Sequence, residues 1–465
     1  MSRVFTKRVD CPGRGSIAHR DYDIDMPNTT SVKYRLIYQI TAASPVLFGL
    51  ISTVLTIKFF GTSKPADAYL GAVAIATTLG VITIMPFDQF LHFYNDHDVK
   101  SSAVAKDFYS YAFTLSLVAG LVFGVLCYGF APQLVSLFYS DFDPAVKATA
   151  SEILRISLVA PVLVPVLYVI RCLLNARQLY LLPYVIGGLP SLFTVLAFGV
   201  MHGMSVIDVK FLAYASSLGN LIALAGYLVV LWRHELLPSI KFDFVALWAL
   251  VKNSTMIRLS GNIYTVLLSL VVTKYLSGFD SGVVSAYFYA DKAVNSAIMV
   301  SSGPVQNIYV ANVSRLWYER KFDQIAGVTA KYLRSGLLYF VVTLALVYLA
   351  IPFAFDIINS ARVGKTDVSL IVSFFVLLSL WKLVVLIESP FVIIPQAAKV
   401  SWIFFVGNGA YIVFLFLLGE VFHQSQGALG IAVAGIIAQL SNLGIYYWYT
   451  RQMMSKLHPL RPTAG

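Results

Sequence analysis

The chain is a succession of long apolar runs separated by short polar breaks. Crossing a hydrocarbon core of about 30 Å takes roughly 20 residues of helix. Runs of that kind fall at 36-60, 67-94, 107-130, 151-174, 179-201, 208-232, 257-277, 283-312, 330-355, 368-393, 400-422 and 428-449. Strands of a membrane barrel are about half as long and alternate in polarity, so the runs predict helices. The expected fold is therefore an all-α integral membrane protein with about 12 transmembrane helices. Composition agrees, since 58% of residues are hydrophobic, 12% are charged and the mean hydropathy is +0.76, far from a soluble domain.

The basic residues set the orientation, because Lys and Arg near helix ends stay in the cytoplasm. With the amino terminus inside, 24 of the 34 lie in cytoplasmic segments. Lys64, Lys147, Lys210, Lys274, Arg362 and Lys365 fall in outer loops or at the outer ends of spans, and Lys58, Arg155, Lys292 and Lys382 are assigned to the spans themselves. Both termini are therefore expected in the cytoplasm. Topology thus accounts for the formal charge of +11, which calls for no nucleic-acid partner. The first 35 residues carry no apolar core before Leu36, unlike a signal peptide, and read as a disordered cytoplasmic tail. Cys11, Cys127 and Cys172 are scattered and fit neither a disulfide framework nor a metal site.

The apolar runs repeat. Ala68-Tyr69-x-x-Ala72 recurs as Ala286-Tyr287-x-x-Ala290 at an offset of 218 residues, as the numbering gives directly. Tyr128 and Pro132 recur as Tyr348 and Pro352, and Asn175-Ala176-Arg177 aligns with Gln396-Ala397-Ala398-Lys399 at a closely similar offset. The order and spacing imply two parallel six-helix repeats, with 1-35 as tail, 36-232 and 257-449 as lobes, 233-256 as a cytoplasmic linker and 450-465 as a second tail. Transporters built this way bind substrate between the lobes, and Ala290 is expected to face that interface.

Enzymatic signals are weak by comparison. Gly364-Lys365-Thr366 resembles the end of a phosphate-binding loop, but Asn359 stands where the leading glycine belongs. His92 and His97 show no metal-ligand spacing. No catalytic residue, metal or cofactor is expected.

Charges within the apolar runs are costly unless they face protein or water, and they mark function. Lys292 lies about 13 Å into a helix that starts near 283, at roughly 1.5 Å per residue. Its neighbour Asp291 points about 100° away around that helix, so the two need not pair. Lys382 is similarly central in the tenth span, with Glu388 further in beside Pro390 and Pro395. Asp88 follows Pro86, while Lys58 and Asp67 flank the first outer turn, where snorkelling or capping also accounts for them. Lys292, Lys382 and Lys58 are the candidate cations of a substrate cavity. Asp291, Asp88, Glu388 and Asp67 are the candidate cavity or ion-handling carboxylates.

Gly61-Thr62-Ser63 with Asp67-Ala68-Tyr69, Leu174-Asn175-Ala176 with Pro183, and Tyr289-Ala290-Asp291-Lys292 resemble motifs of the lipid II flippase family. That family is the murein-precursor branch of the multidrug, oligosaccharidyl-lipid and polysaccharide exporter superfamily. The resemblance runs from about residue 45 to 450. It implies a V-shaped, two-lobed bundle with a cationic cavity that exports an undecaprenyl-diphosphate-linked sugar by alternating access. Ser52-Thr53 stand where that family carries Arg-Asp, Thr77-Thr78-Leu79-Gly80 where it carries basic residues, and Lys292 in place of an arginine. The chain also stops at about 12 spans, where the murein flippases add two more. These departures favour a lipid-linked oligosaccharide, such as an exopolysaccharide, capsule or O-antigen repeat unit, over lipid II itself. A multidrug antiporter of the same superfamily is a further alternative, against which the lysines argue. The expected setting is the bacterial inner membrane. The expected partners are the lipid-linked glycan, membrane lipids, and the polymerase and glycosyltransferases of the pathway, with the membrane potential, Na⁺ or H⁺ available for coupling.

The orientation is testable with single cysteines introduced at positions 143, 365, 241 and 320. An impermeant thiol reagent applied to intact cells should label 143 and 365 and miss 241 and 320; labelling at 320 would reverse the assignment.

Overall fold

The computed structural model describes residues 32–87, 90–177, 179, 181–204, 208–243, 248, 264–318, 320–358, 365–398, 400 and 402–457. Among them there is no strand. The helices are α1 (Val32–Phe60), α2 (Lys64–Ile84), α3 (Phe90–Lys100), α4 (Ser102–Gly129), α5 (Ala131–Phe138), α6 (Pro144–Ser157), α7 (Val159–Ala176), α8 (Leu181–Gly187), α9 (Leu189–Met204) and α10 (Val209–Arg233). They continue as α11 (Tyr264–Ser277), α12 (Val283–Ser301), α13 (Gly303–Tyr318), α14 (Phe322–Ile358), α15 (Lys365–Ala397), α16 (Trp402–Gln426) and α17 (Gly430–Leu457). Each expected span meets at least one helix among the described residues, where eight helices are long and apolar enough to cross a membrane and Ser44–Phe60 and Tyr264–Ser277 are shorter apolar ones; α12 begins at the predicted residue. Several spans are broken in two. The interruptions at Leu158, Gly188 and Ser302 each precede Pro161, Pro190 or Pro304 by two or three residues, as the missing proline N–H and its ring dictate.

Residues Thr41–Gly465 form one compact body. Within it α2 lies on α6 and α7, α4 on α7, and α9 on α10. Further along the chain α12 lies on α14 and α15, and α17 on α15 and α16. The pair α2 and α12 joins the two sets.

Among the described side chains, four prolines sit inside helices: Pro45 in α1, Pro165 in α7, and Pro390 and Pro395 in α15. Each deprives the carbonyl four residues earlier of its donor, a serious loss where no water is at hand. In every case a hydroxyl replaces it. Ser44 Oγ donates to Thr41 O at 2.8 Å and Ser389 Oγ to Leu386 O at 3.0 Å, both within the same helix. Thr83 Oγ1 on α2 donates to Pro161 O at 3.2 Å, and Thr450 Oγ1 on α17 to Phe391 O at 2.9 Å.

The turn between α1 and α2 meets the turn between α11 and α12. Asp67, only 3% exposed, accepts from the backbone N–H of Gly282 at 2.7 Å and of Ser285 at 2.8 Å. Its carboxylate thereby caps the start of α12 from another helix, where the unpaired amides and the helix dipole favour a negative charge. Tyr289 Oη donates to Gly61 O at 2.9 Å, one helical turn deeper. Gly282 has φ +102° and presses against Thr62, whose Cβ would lie 2.9 Å from an added methyl, so only glycine fits.

The described part of the linker after α10 is extended and lies along α4. Ser239 N donates to Ser110 Oγ at 3.2 Å and Lys241 N to Thr114 Oγ1 at 3.3 Å, while Lys241 and Asp107 form an ion pair.

Thr450→Val removes the donor that serves Phe391 O and should lower the unfolding free energy by about 1–3 kcal/mol. Adding Pro395→Ala restores a backbone N–H for the same carbonyl and should recover most of the loss. Thermal unfolding in detergent of the two single variants and the double variant checks this; equal destabilisation with and without Pro395 would refute the pairing.

Candidate functional site

A central cavity of about 520 Å³ lies between α1, α2, α11 and α12. Its wall on α1 is the stripe Gly49, Ser52, Thr53 and Thr56, spaced as one helix face, and α2 adds Thr77 and Thr78. Lys292 and Asp291 enter from α12. The Lys292 side chain extends into the open space, and its Nζ donates to Ser52 Oγ at 3.3 Å. No ion pair joins Lys292 to Asp291, in keeping with the 100° turn between them. Asp291 instead accepts from Asn295 Nδ2 at 2.8 Å.

Behind α12 lies a second cavity of about 390 Å³, walled by α11, α12, α15 and α17. It shares Ser269, Phe288, Asp291 and Asn295 with the first. Lys382 enters it from α15, within electrostatic reach of Asp291. Trp381 lines it and donates its Nε1 to Gln439 Oε1 at 3.2 Å. Gln439 Nε2 in turn donates to Glu388, which also accepts from Asn442 Nδ2 at 3.1 Å. Glu388 is thus buried outside both cavities but joined to the second through one amide side chain.

A third cavity, of about 310 Å³, flanks the central one on the side of α6, α7 and α10. Its lining bears out the internal repeat. Tyr69, Val73 and Thr77 line it and the central cavity, and the offset of 218 carries them to Tyr287, Asp291 and Asn295. On the helices after these, Ser157, Ala160, Pro161 and Val164 correspond to Leu378, Trp381, Lys382 and Val385, at 221 residues. The same backbone positions therefore build a side cavity twice, once with small neutral groups and once with two charges and an indole.

The structure thus brings Lys292, Lys382 and Asp291 together. Lys58 is exposed and falls off the α1 stripe, so it lines neither cavity. Asp67 is committed to the start of α12. Asp88 lies outside the described residues. Ala290 is 1% exposed and packs in the core, not on a cavity wall. Among the described residues no group of three or more His, Cys, Asp or Glu side chains could hold a metal ion. Sequence reading missed Thr56, Ser269, Asn295, Trp381 and Gln439 as lining groups. The run of hydroxyls at helical spacing on α1 was the available signal.

The sequence profile described as "Lipid II flippase MurJ" matches residues 57–461. No curated protein matches the chain. Among solved structures, the fold is similar to "Lipid II flippase MurJ, inward closed conformation", with a TM-score of 0.71 and 18% identity over 91% of this chain and 90% of that one. It is also similar to an inward-facing multidrug resistance MATE family transporter of the MOP superfamily, with a TM-score of 0.63 and 16% identity over 94% of this chain and 98% of that one. An outward-facing member of that MATE family aligns at a TM-score of 0.61 and 15% identity, over 92% and 95% of the two chains. At these identities the structural likeness speaks for the fold, and the profile speaks for the family. The profile spans most of the chain, and the chain belongs to the lipid II flippase MurJ family.

Proposed function

We propose that the protein carries an undecaprenyl-diphosphate-linked oligosaccharide across the bacterial inner membrane by alternating access between its two repeats. The observation that carries this reading is the Lys292 ammonium, held in the wall of the central cavity with a single hydroxyl partner. A diphosphate headgroup cannot enter hydrocarbon without losing its water, at a large cost. The cavity offers an ammonium in place of that water, and the hydroxyls of Ser52, Thr53, Thr56, Thr77 and Thr78, which donate to carbonyls of their own helices, can turn towards the phosphates, while the prenyl chain stays in lipid. Outward movement of two negative charges down an inside-negative potential of 100 mV releases about 4–5 kcal/mol, enough to drive transport without a nucleotide. Asp291 and Glu388, the latter linked to the second cavity through Gln439, are the groups suited to exchange H⁺ or Na⁺ with the cycle.

The hydroxyls at 52, 53, 77 and 78 leave Lys292 as the only cation among the residues lining the central cavity. A point charge binds phosphate but lacks the planar fork of arginine, which makes the cavity permissive towards the attached glycan. This favours an exopolysaccharide, capsule or O-antigen repeat unit, made and polymerised by enzymes of the same pathway. Lipid II transport is the second reading, and the family profile over 57–461 supports it. An organic-cation antiporter fits less well, because two lysines outnumber the one carboxylate of the paired cavities.

Lys292→Glu places like charge against the phosphates and should reduce glycan export by roughly tenfold or more. Lys292→Arg keeps the charge, adds the fork and should retain most activity. Export is measured in cells with both variants at wild-type abundance in the membrane, and in proteoliposomes offered either lipid II or a lipid-linked repeat unit. Wild-type export by Lys292→Glu would sink the mechanism, and selective transport of lipid II would decide for the second reading.

A further inference from the structure

We infer that the cavity behind α12 is a saccharide subsite, which seats the sugar bonded to the diphosphate while the diphosphate itself faces Lys292. The inference rests on the flippase reading above. Position is the first argument. The cavity shares Ser269, Phe288, Asp291 and Asn295 with the central one, so a ring linked to a phosphate at Lys292 has this space as its neighbour. Its volume of about 390 Å³ falls in the range of small-molecule sites, ~300–1,000 Å³.

Chemistry is the second argument. A pyranose ring offers apolar C–H faces and an equator of hydroxyls that both donate and accept. The cavity answers with aromatic walls, Tyr264, Tyr287 and Trp381, and with a carboxylate, an amide and an ammonium from Asp291, Asn295 and Lys382. Trp381 is fixed in advance. It is 5% exposed, donates to Gln439, and lies so close against Gly435 that an added methyl there would approach its ring to 2.4 Å. A rigid aromatic surface loses little entropy when a ligand settles on it. Asp291 lies within electrostatic reach of Lys382, so the two charges of this cavity compensate each other and leave Lys292 to the central one, which suits a neutral sugar here better than an organic cation or a second phosphate.

The third argument is the duplicate on the other side of the central cavity. There Val73, Thr77, Ala160 and Pro161 occupy the positions of Asp291, Asn295, Trp381 and Lys382. Small neutral residues therefore suffice to build such a cavity. The costly charges appear in one copy only, where they need a polar occupant.

The test uses the full-length protein in nanodiscs and two probes, undecaprenyl diphosphate and the same lipid carrying one N-acetylhexosamine. Wild type should bind the sugar-bearing lipid about tenfold more tightly. Val385→Trp, which fills the cavity from its wall, should abolish that preference and leave undecaprenyl diphosphate binding unchanged. Trp381→Phe, which keeps an aromatic ring against Gly435, should narrow the preference in the same direction if the larger substitution does not fold. Lys292→Gln should weaken both probes. Equal binding of the two lipids by wild type, or an undiminished preference in the folded cavity variants, overturns the subsite. So does a loss of tetraphenylphosphonium binding in those variants with the sugar preference intact. In any of these cases, weakened binding of both probes by Lys292→Gln still upholds the flippase reading. If instead Lys292→Gln binds both probes as wild type does while Val385→Trp loses the preference, the subsite stands and the cationic reading fails.

Discussion

The grip of Asp67 on the first amides of α12 is the contact on which the site depends. It reaches across 215 residues of sequence to Gly282 and 218 to Ser285, and it joins the α1–α2 turn to the α11–α12 turn. Charge-assisted bonds to backbone amides are short and strong, and the helix dipole adds to them. Because Asp291, Lys292 and Asn295 ride on the same helix, within about 20 Å of its start at ~1.5 Å per residue, fixing that start also fixes where they enter the cavities. Parting the two turns requires both amides to find other partners at once. The contact is therefore cooperative.

Lys292 shows how magnitudes assign a role. A lysine at mid-membrane costs ~2.5–3.5 kcal/mol on insertion scales. One hydrogen bond from Ser52 returns about 0.5–1.5 kcal/mol net, so it does not offset that cost. The remaining deficit is what an anionic ligand, on the reading advanced above, would offset. Glu388 is in the opposite situation. With amide donors from Gln439 and Asn442 already in place, it has the partners that a buried carboxylate requires.

Hydropathy made the helices legible, down to the start of α12 at Val283. The offsets of 218 and about 221, noticed from alanines, tyrosines and a few loop residues, turned out to pair the walls of two cavities. What the sequence did not disclose depended on rotation and on partners without side-chain signatures. Lys58 carries a suitable charge, but it lies two residues after Thr56 and so on another face of α1. Asp67 read as a boundary or ion-handling charge because its partners are backbone amides, which no residue type announces. Trp381 carries no signal of its own in the sequence, and only the close approach of Gly435 shows why its ring is held still.

The interior prolines carry a mechanical consequence. In α1 and the first bend of α15 the substitute donor comes from the helix's own side chain, so such a bend can change without disturbing a neighbour. In α7 and the second bend of α15 the donor belongs to α2 and α17 respectively. Sliding either neighbour away would strand a carbonyl in hydrocarbon. Each of these pairs is therefore pinned to travel as a single rigid piece, and large motion is channelled to contacts that lack such pins.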